Sequence, residues 1–199
     1  MKTKLSIYQF LIVAGLLIVA GGCKKTISGC NDPTAYNYNA IANENDGSCL
    51  YHTIGESYGG GTIFFVDNSG QHGLIAAPTD QSTGINWGNN SITTTATGTS
   101  GQANTNFIIA ALGPGNYAAY LCDTLVLGSY SDWFLPSYVE IQKLCTQKQA
   151  GTVIGFANER YWSSTEYAQF GALGFNFAGC LTAGEDKSSA MRVRAVRAF

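Results

Sequence analysis

The chain has 199 residues, a formal net charge of −2 and only 12% charged residues. Nucleic-acid-binding proteins normally present a basic surface, and this charge balance excludes that class. The 24 glycines, with abundant Asn, Ser and Thr, are typical of an exported, loop-rich protein that contains strands, and not of a helical bundle.

The first 22 residues have the pattern of a secretory signal. Lys2 and Lys4 precede an apolar run over residues 7–20, which is shorter than the roughly 20 residues of a membrane span. Small residues then lead directly to Cys23, and this ending resembles the bacterial lipoprotein signal. The resemblance implies cleavage before Cys23, acyl chains such as palmitate on that residue, and an outer-membrane location whose side, periplasmic or surface, stays open. An ordinary secretory signal followed by a chance cysteine is the alternative.

Residues 23–50 form a separate module after this signal. Its core resembles a short repeat of exported bacterial surface proteins with the pattern GCxDxxAxNYNxxAxxxDGSC. Cys30 and Cys49 bracket the pattern, and we predict that they pair in an oxidising compartment. Closing a loop of this size stabilises the fold by about 3 kcal/mol in the chain-entropy model. We expect a disulfide-stapled spacer between the membrane and the main domain.

The sequence Asn45-Asp46-Gly47 in this module is compatible with two structures. Asp32, Asn43, Asn45 and Asp46 offer oxygen ligands for calcium, but the bidentate glutamate of a calcium loop is absent. The other structure is an Asx-turn with Gly47 in the left-handed conformation, and we favour it. We therefore expect no metal and no cofactor.

The main domain, residues 51–199, is predicted to be α+β because strands come first, helices second and strands last. Residues 62–67 and 72–77 have the pattern of a hairpin, and residues 79–103 that of a long surface loop. We expect the first and last strands of the domain to pair.

Two helices are predicted in the middle of the domain. Asn104 is the expected cap of the first helix, which Gly113-Pro114-Gly115 interrupts and which we expect to restart at Asn116 and continue to Cys122. Ser137 and Glu140 form a capping box at the start of the second helix, which ends near Gln149. Beyond them, strands are predicted at residues 161–166, 174–177 and 191–199, with a turn at 184–187.

Five motifs follow one another in this domain: Gly60 to Asp67, His72 to Ala77, Asp132 to Ser137 with Glu140, Tyr161 to Glu166, and Val193 to Phe199. Their order resembles the Lcl C-terminal domain family, a domain of unknown function named after a collagen-like bacterial adhesin that binds glycosaminoglycans. The plan is also similar to the C-type-lectin-like fold of the formylglycine-generating enzymes. The resemblance implies a C-type-lectin-like domain with two central helices and paired terminal strands.

Catalysis finds no support in the sequence. We see no phosphate-binding loop, zinc spacing or nucleophile elbow. The cysteine motif of the formylglycine-generating enzymes is also missing, so we do not expect this protein to be an enzyme. Cys122, Cys145 and Cys180 remain. One prediction bridges Cys122 to Cys145 on the two helices, and the other leaves buried, unreactive thiols.

Aromatic side chains are the first candidates for ligand binding. Six of them could stack on sugar rings: Trp87, Tyr130, Trp133, Tyr161, Trp162 and Tyr167. Trp133 and Trp162 lie in motifs typical of a core. Trp87 stands in a polar loop, so we select it together with Tyr130 as candidate ligand-binding residues.

Arginines near the C-terminus are the second candidates. Arg192, Arg194 and Arg197 could bind sulfated glycans, and we select Arg192 and Arg194 as candidate ligand-binding residues. The alternative pairs the three arginines with Asp132 or Glu140 if those carboxylates are buried, and we favour this structural role. We expect a lipid-anchored protein for adhesion or recognition whose partners are the membrane and a glycan or matrix polymer. The alternative function is a structural envelope lipoprotein without a small ligand.

Overall fold

The computed structural model describes residues 24–199, so the predicted signal and the lipid attachment at Cys23 lie outside the described residues. From residue 24 onward, no helix has the length and apolar character that a membrane crossing requires. The elements run in the order β1 (Ser28–Gly29), β2 (Glu44–Asn45), β3 (Ser57–Tyr58), β4 (Gly61–Val66), β5 (Gly73–Ala76), β6 (Ser82–Ile85), α1 (Gly101–Leu112), α2 (Ala118–Asp123), α3 (Tyr138–Gln149), β7 (Arg160–Ala168), β8 (Gly171–Asn176), β9 (Leu181–Asp186), β10 (Met191–Val193) and β11 (Val196–Ala198). This mixture confirms the predicted α+β class.

The N-terminal module contains a short parallel pairing of β1 with β2 and a disulfide between Cys30 and Cys49. The predicted pairing of these two cysteines is therefore confirmed. The Gly47 N–H donates to Asn45 Oδ1 at 2.9 Å, and Gly47 has φ +78°. The Asx-turn with a left-handed glycine is thus present.

A four-stranded antiparallel sheet begins and ends the main domain, in the order β11-β5-β4-β3. Its centre is the predicted hairpin of β4 and β5, which Asp67 to Gly70 close with a turn. Because β11 pairs with β5, the first hairpin and the last strand are neighbours, as predicted.

A five-stranded sheet in the order β6-β10-β7-β8-β9 forms the second layer, with β10 parallel to β7. The prediction of one strand over residues 191–199 is wrong, because the chain crosses between the sheets at Arg194-Ala195. The Ala195 N–H leaves the ladder at this corner and donates to Gln81 Oε1. The predicted turn at 184–187 is also wrong. β9 runs to Asp186 because its residues pair with β8 along their whole length.

Serine side chains cap the first turns of α1 and α3, whereas α2 begins after Tyr117 without a side-chain cap. The capping box of Ser137 and Glu140 is confirmed at α3, which ends at Gln149. The cap of α1 is Ser100 and not Asn104. Asn104 is buried within α1, where its side chain binds both backbone groups of Gly98 at 2.8 and 3.0 Å.

Glu140 connects the two helix starts. Its carboxylate accepts the Ser137 N–H at 2.8 Å and the Gly101 N–H at 3.1 Å, so one negative charge lies at both N-termini. Burial raises the pKa of Glu140, while these backbone hydrogen bonds oppose that rise. The arginine partner considered for Glu140 is therefore replaced by backbone N–H groups.

The remaining cysteines pair differently from the prediction. Cys145 on α3 is bridged to Cys180 after β8, and Cys122 is a buried thiol whose pKa burial raises. Cys122 and Cys145 belong to separate core clusters, so their side chains do not meet. The predicted bridge between Cys122 and Cys145 is wrong.

Candidate ligand-binding cleft

The N-terminal module lies directly against the main domain. The Tyr36 ring stacks on His52 with centroids 4.4 Å apart, and Tyr51 Oη donates to Asp32 Oδ2 at 2.6 Å. Gln71 Nε2, after the β4–β5 turn, donates to the Pro33 carbonyl. Gly70 approaches the module so closely that a Cβ there would lie 2.3 Å from the Thr34 carbonyl oxygen. The module therefore contributes a wall to the domain surface.

A cleft of about 370 Å³ opens where the two parts meet. Most of its walls are aromatic, and its lining residues are Tyr36, His52, Tyr58, Gln71, His72, Tyr130, Arg197 and Phe199. Tyr36 and Tyr58 remain 47% and 42% exposed, so their rings are accessible from solvent. His52 is buried behind them and contacts Tyr58 and Phe199 at centroid distances of 4.3 and 4.8 Å.

Arg197 forms the charged end of the cleft, but its charge is already paired. Its Nε and Nη2 donate to the two oxygens of Asp132 at 2.7 and 2.8 Å. This bidentate hydrogen bonding lowers the pKa of Asp132 below its ordinary value. The guanidinium also lies 4.2 Å from the Tyr130 ring centroid. The pairing considered for Arg197 and Asp132 is confirmed, although the Asp132 side chain is 54% exposed and not buried.

Tyr130 is held in position by the corner that precedes α3. Its backbone pairs with Leu127, and its carbonyl accepts the Trp133 Nε1–H at 3.2 Å. Gly60 lies against the ring with φ +87°, and a Cβ there would lie 3.1 Å from Tyr130 Cδ2. Among the predicted ligand-binding residues, Tyr130 is the one that lines this cleft.

Trp87 does not present its ring to solvent. It has 0% exposure, and its Nε1–H donates to the Ser163 carbonyl at 2.7 Å. The prediction of an exposed loop tryptophan is wrong because residues 79–103 include β6 and fold back onto the second sheet.

Arg194 is likewise unavailable to a ligand, so that prediction is also wrong. It is 2% exposed, donates to Asp80 Oδ1 at 2.7 Å and lies 3.9 Å from the Phe156 ring centroid. Asp80 also accepts the Tyr161 hydroxyl at 3.0 Å, and burial raises the pKa of Tyr161 to about 12.

Arg192 lies elsewhere, in a polar hollow of about 400 Å³ on the five-stranded sheet. Its guanidinium donates to Asp80 at 3.0 Å and to Glu159 at 2.7 Å. The structure therefore separates Tyr130 from the three other candidates that the sequence suggests.

Sequence reasoning did not single out Tyr36, Tyr58 or Phe199. These residues are far apart along the chain, and none belongs to a motif with a chemical signature. One usable signal is the composition of the module that contains Tyr36. The module has too few apolar residues for a core of its own, so its aromatic rings must pack against another part of the chain or remain exposed.

The family profile of the Lcl C-terminal domain matches residues 77–197, which include Tyr130, Asp132 and Arg197. Tyr36, Tyr58 and the β4–β5 hairpin precede the matched span. None of the curated proteins matches the chain. Because the profile covers more than half of the sequence, the chain belongs to the Lcl C-terminal domain family.

Proposed function

We propose that this protein is an exported recognition protein that binds sugar rings of a glycan or matrix polymer in the cleft between the module and the domain. The observation that carries the proposal is the convergence of Tyr36, Tyr58 and Tyr130 around one cleft of about 370 Å³. That volume is within the range of small-ligand sites, roughly 300–1,000 Å³.

The chemistry of the walls supports an uncharged sugar ring over a sulfated one. Aromatic rings offer large, stiff contact surfaces with low conformational entropy, and Tyr adds a hydroxyl for hydrogen bonding. The Arg197 charge is neutralised by both oxygens of Asp132, so a sulfate would have to compete with an existing bidentate pair.

The same proposal includes the surroundings of the domain. We propose a C-type-lectin-like architecture for residues 51–199, a signal at residues 1–22, a lipid anchor at Cys23 and a location on the outer membrane. Two disulfides support export to an oxidising compartment. The motif order, with the family membership, supports the lectin-like architecture.

A glycan array probed with the full-length chain in detergent tests the proposal. We expect saturable binding to uncharged glycans that Tyr130→Ala weakens. Tyr38→Ala is the control, because Tyr38 is a 42% exposed tyrosine of the module outside the cleft. A blank array with a folded chain would contradict recognition of glycans and favour a structural envelope lipoprotein.

A further inference from the structure

A second hollow, of about 270 Å³, lies at the tip of the β7–β8 hairpin. Its lining also includes Glu166 and Ala168, and we call the other five lining residues, Thr93, Thr95, Thr97, Tyr167 and Gln169, the threonine shelf. The three threonines are exposed, whereas Thr94 and Ala96 between them are buried. Every second residue of this segment is therefore on the solvent side, and the Thr97 N–H donates to the Thr95 carbonyl at 2.8 Å in a tight turn at Ala96.

A buried ion pair fixes the threonine shelf from below. The Glu166 carboxylate accepts the N–H groups of Thr94 and Thr95, each at 2.9 Å, and the Lys187 ammonium donates to the same carboxylate. Lys187 also donates to the Ile92 carbonyl at 2.8 Å. Both charged side chains are buried. A buried ion pair adds little net stability compared with apolar residues of similar volume. We therefore infer that this pair mainly holds the backbone of Thr94 and Thr95 in one conformation.

The backbone of the shelf is also strained at its centre. Thr95 has φ +59°, in the left-handed region that a β-branched residue rarely adopts. The Glu166 carboxylate holds that conformation through the Thr95 N–H. Backbone outliers that the surroundings impose in this way are concentrated at ligand-binding and active sites.

Tyr167 forms the aromatic side of the hollow and is supported by two glycines. A Cβ at Gly171 would lie 2.3 Å from Tyr167 Cζ, and one at Gly184 would lie 2.8 Å from the same atom. Only glycines leave room for the ring against β8 and β9, yet 56% of Tyr167 remains exposed. Gln169 is positioned beside it, with Nε2 donating to the Ser91 carbonyl at 3.3 Å.

We propose that the threonine shelf is a second carbohydrate-binding site, which takes one pyranose ring of an uncharged glycan. The sugar ring stacks on Tyr167 while its hydroxyls bond to Thr93, Thr95 and Thr97. An uncharged ligand fits because Glu166, the charged residue that lines this hollow, is already neutralised by Lys187. A polymer that engages this shelf and the cleft together would bind with avidity.

Amide NMR of the isotopically labelled full-length chain in detergent micelles tests this site separately from the cleft. The probes are uncharged hexasaccharides of glucose, mannose and N-acetylglucosamine. We expect saturable shifts at Thr95, Thr97 and Gln169 with at least one probe, while His72 and Phe199 report on the cleft. Tyr167→Ala should weaken the shelf response about tenfold, the size expected for loss of one aromatic contact. Phe170→Ala is the control, since Phe170 is 57% exposed on the same hairpin and outside the hollow.

Two further variants distinguish loss of stacking on the Tyr167 ring from general damage to the fold. Gly184→Ala keeps the phenol but displaces it, so it should weaken binding, whereas Tyr167→Phe keeps the ring and should retain binding. Absence of shifts at the shelf with all three probes overturns the second site, as do shelf shifts that persist unchanged in Tyr167→Ala. Shifts at the shelf without any at His72 or Phe199 would contradict only the function proposed for the cleft.

Discussion

Replacing Lys187 with methionine should destabilise the protein strongly, because it leaves the Glu166 carboxylate buried without its cation. The Lys187 side chain is 0% exposed and that of Glu166 is 2% exposed. Removing one partner of a buried pair costs about 3–5 kcal/mol. Glu166 keeps its hydrogen bonds from Thr94 and Thr95, so we expect a loss near the lower limit, about 3 kcal/mol.

Urea denaturation followed by circular dichroism, with the disulfides intact, measures this loss. With a slope of about 2 kcal/mol per molar urea, a loss of 3 kcal/mol lowers the midpoint by about 1.5 M. Adding Glu166→Gln to Lys187→Met removes the unpaired charge, and the double variant should recover a large part of the midpoint.

Arg160→Met is the matched control, since it breaks the Arg160–Glu185 pair, in which the arginine side chain is 57% exposed. Exposed pairs contribute about 0–1 kcal/mol, so this midpoint should move by less than about 0.5 M. If Lys187→Met lowers the midpoint no more than Arg160→Met does, the reasoning that the Glu166–Lys187 pair is desolvated and rigidly held is refuted.

Three other perturbations have defined outcomes. Arg197 lowers the pKa of Asp132, so the stability from this pair is present above pH 3.8, the ordinary value, and is lost as the pH falls through the lowered pKa. The difference in melting temperature between wild type and Asp132→Asn should therefore shrink below pH 3.8, and a constant difference would contradict that linkage. Replacing Cys145 and Cys180 with serine opens a loop of sequence separation 35 and should cost about 4 kcal/mol in the chain-entropy model. A calorimetric melting temperature equal to that of the wild type would disprove the contribution of this bridge. Ser137→Ala removes the cap of α3 and should lower the unfolding free energy by about 1–2 kcal/mol in urea; a change within a few tenths would show that the cap is dispensable.

Local signals predict those parts of the fold that local physics decides. The Ser137–Glu140 box marks the start of α3 because both hydrogen bonds of the box form within four residues. The β4–β5 hairpin is predictable for a similar reason, since turn residues separate two apolar runs. Asn104 is misread as a cap because its amide, which suits capping, instead binds Gly98 six residues upstream.

Long-range contacts decide what the sequence does not reveal. Trp87 stands among polar residues, yet it is buried because it packs into the apolar core and its indole N–H donates to the Ser163 carbonyl, far along the chain. The bridge from Cys145 to Cys180 depends on how α3 packs on the strands, which cysteine spacing does not encode. The cleft is assembled in the same way, because Tyr36 and Tyr130 approach each other only after the module docks on the hairpin.

Recognition of a glycan in this cleft is tested most directly by calorimetric titration of one array-selected glycan into four full-length chains. They are wild type, Tyr36→Ala from the module wall, Tyr58→Ala from the domain wall, and the control Tyr38→Ala. We expect each wall variant to bind about tenfold more weakly, as for loss of one aromatic contact, and Tyr38→Ala to bind as wild type does. Equal affinity in all four chains would show that the glycan binds elsewhere. That result would contradict the claim that the module and the domain together form its binding site.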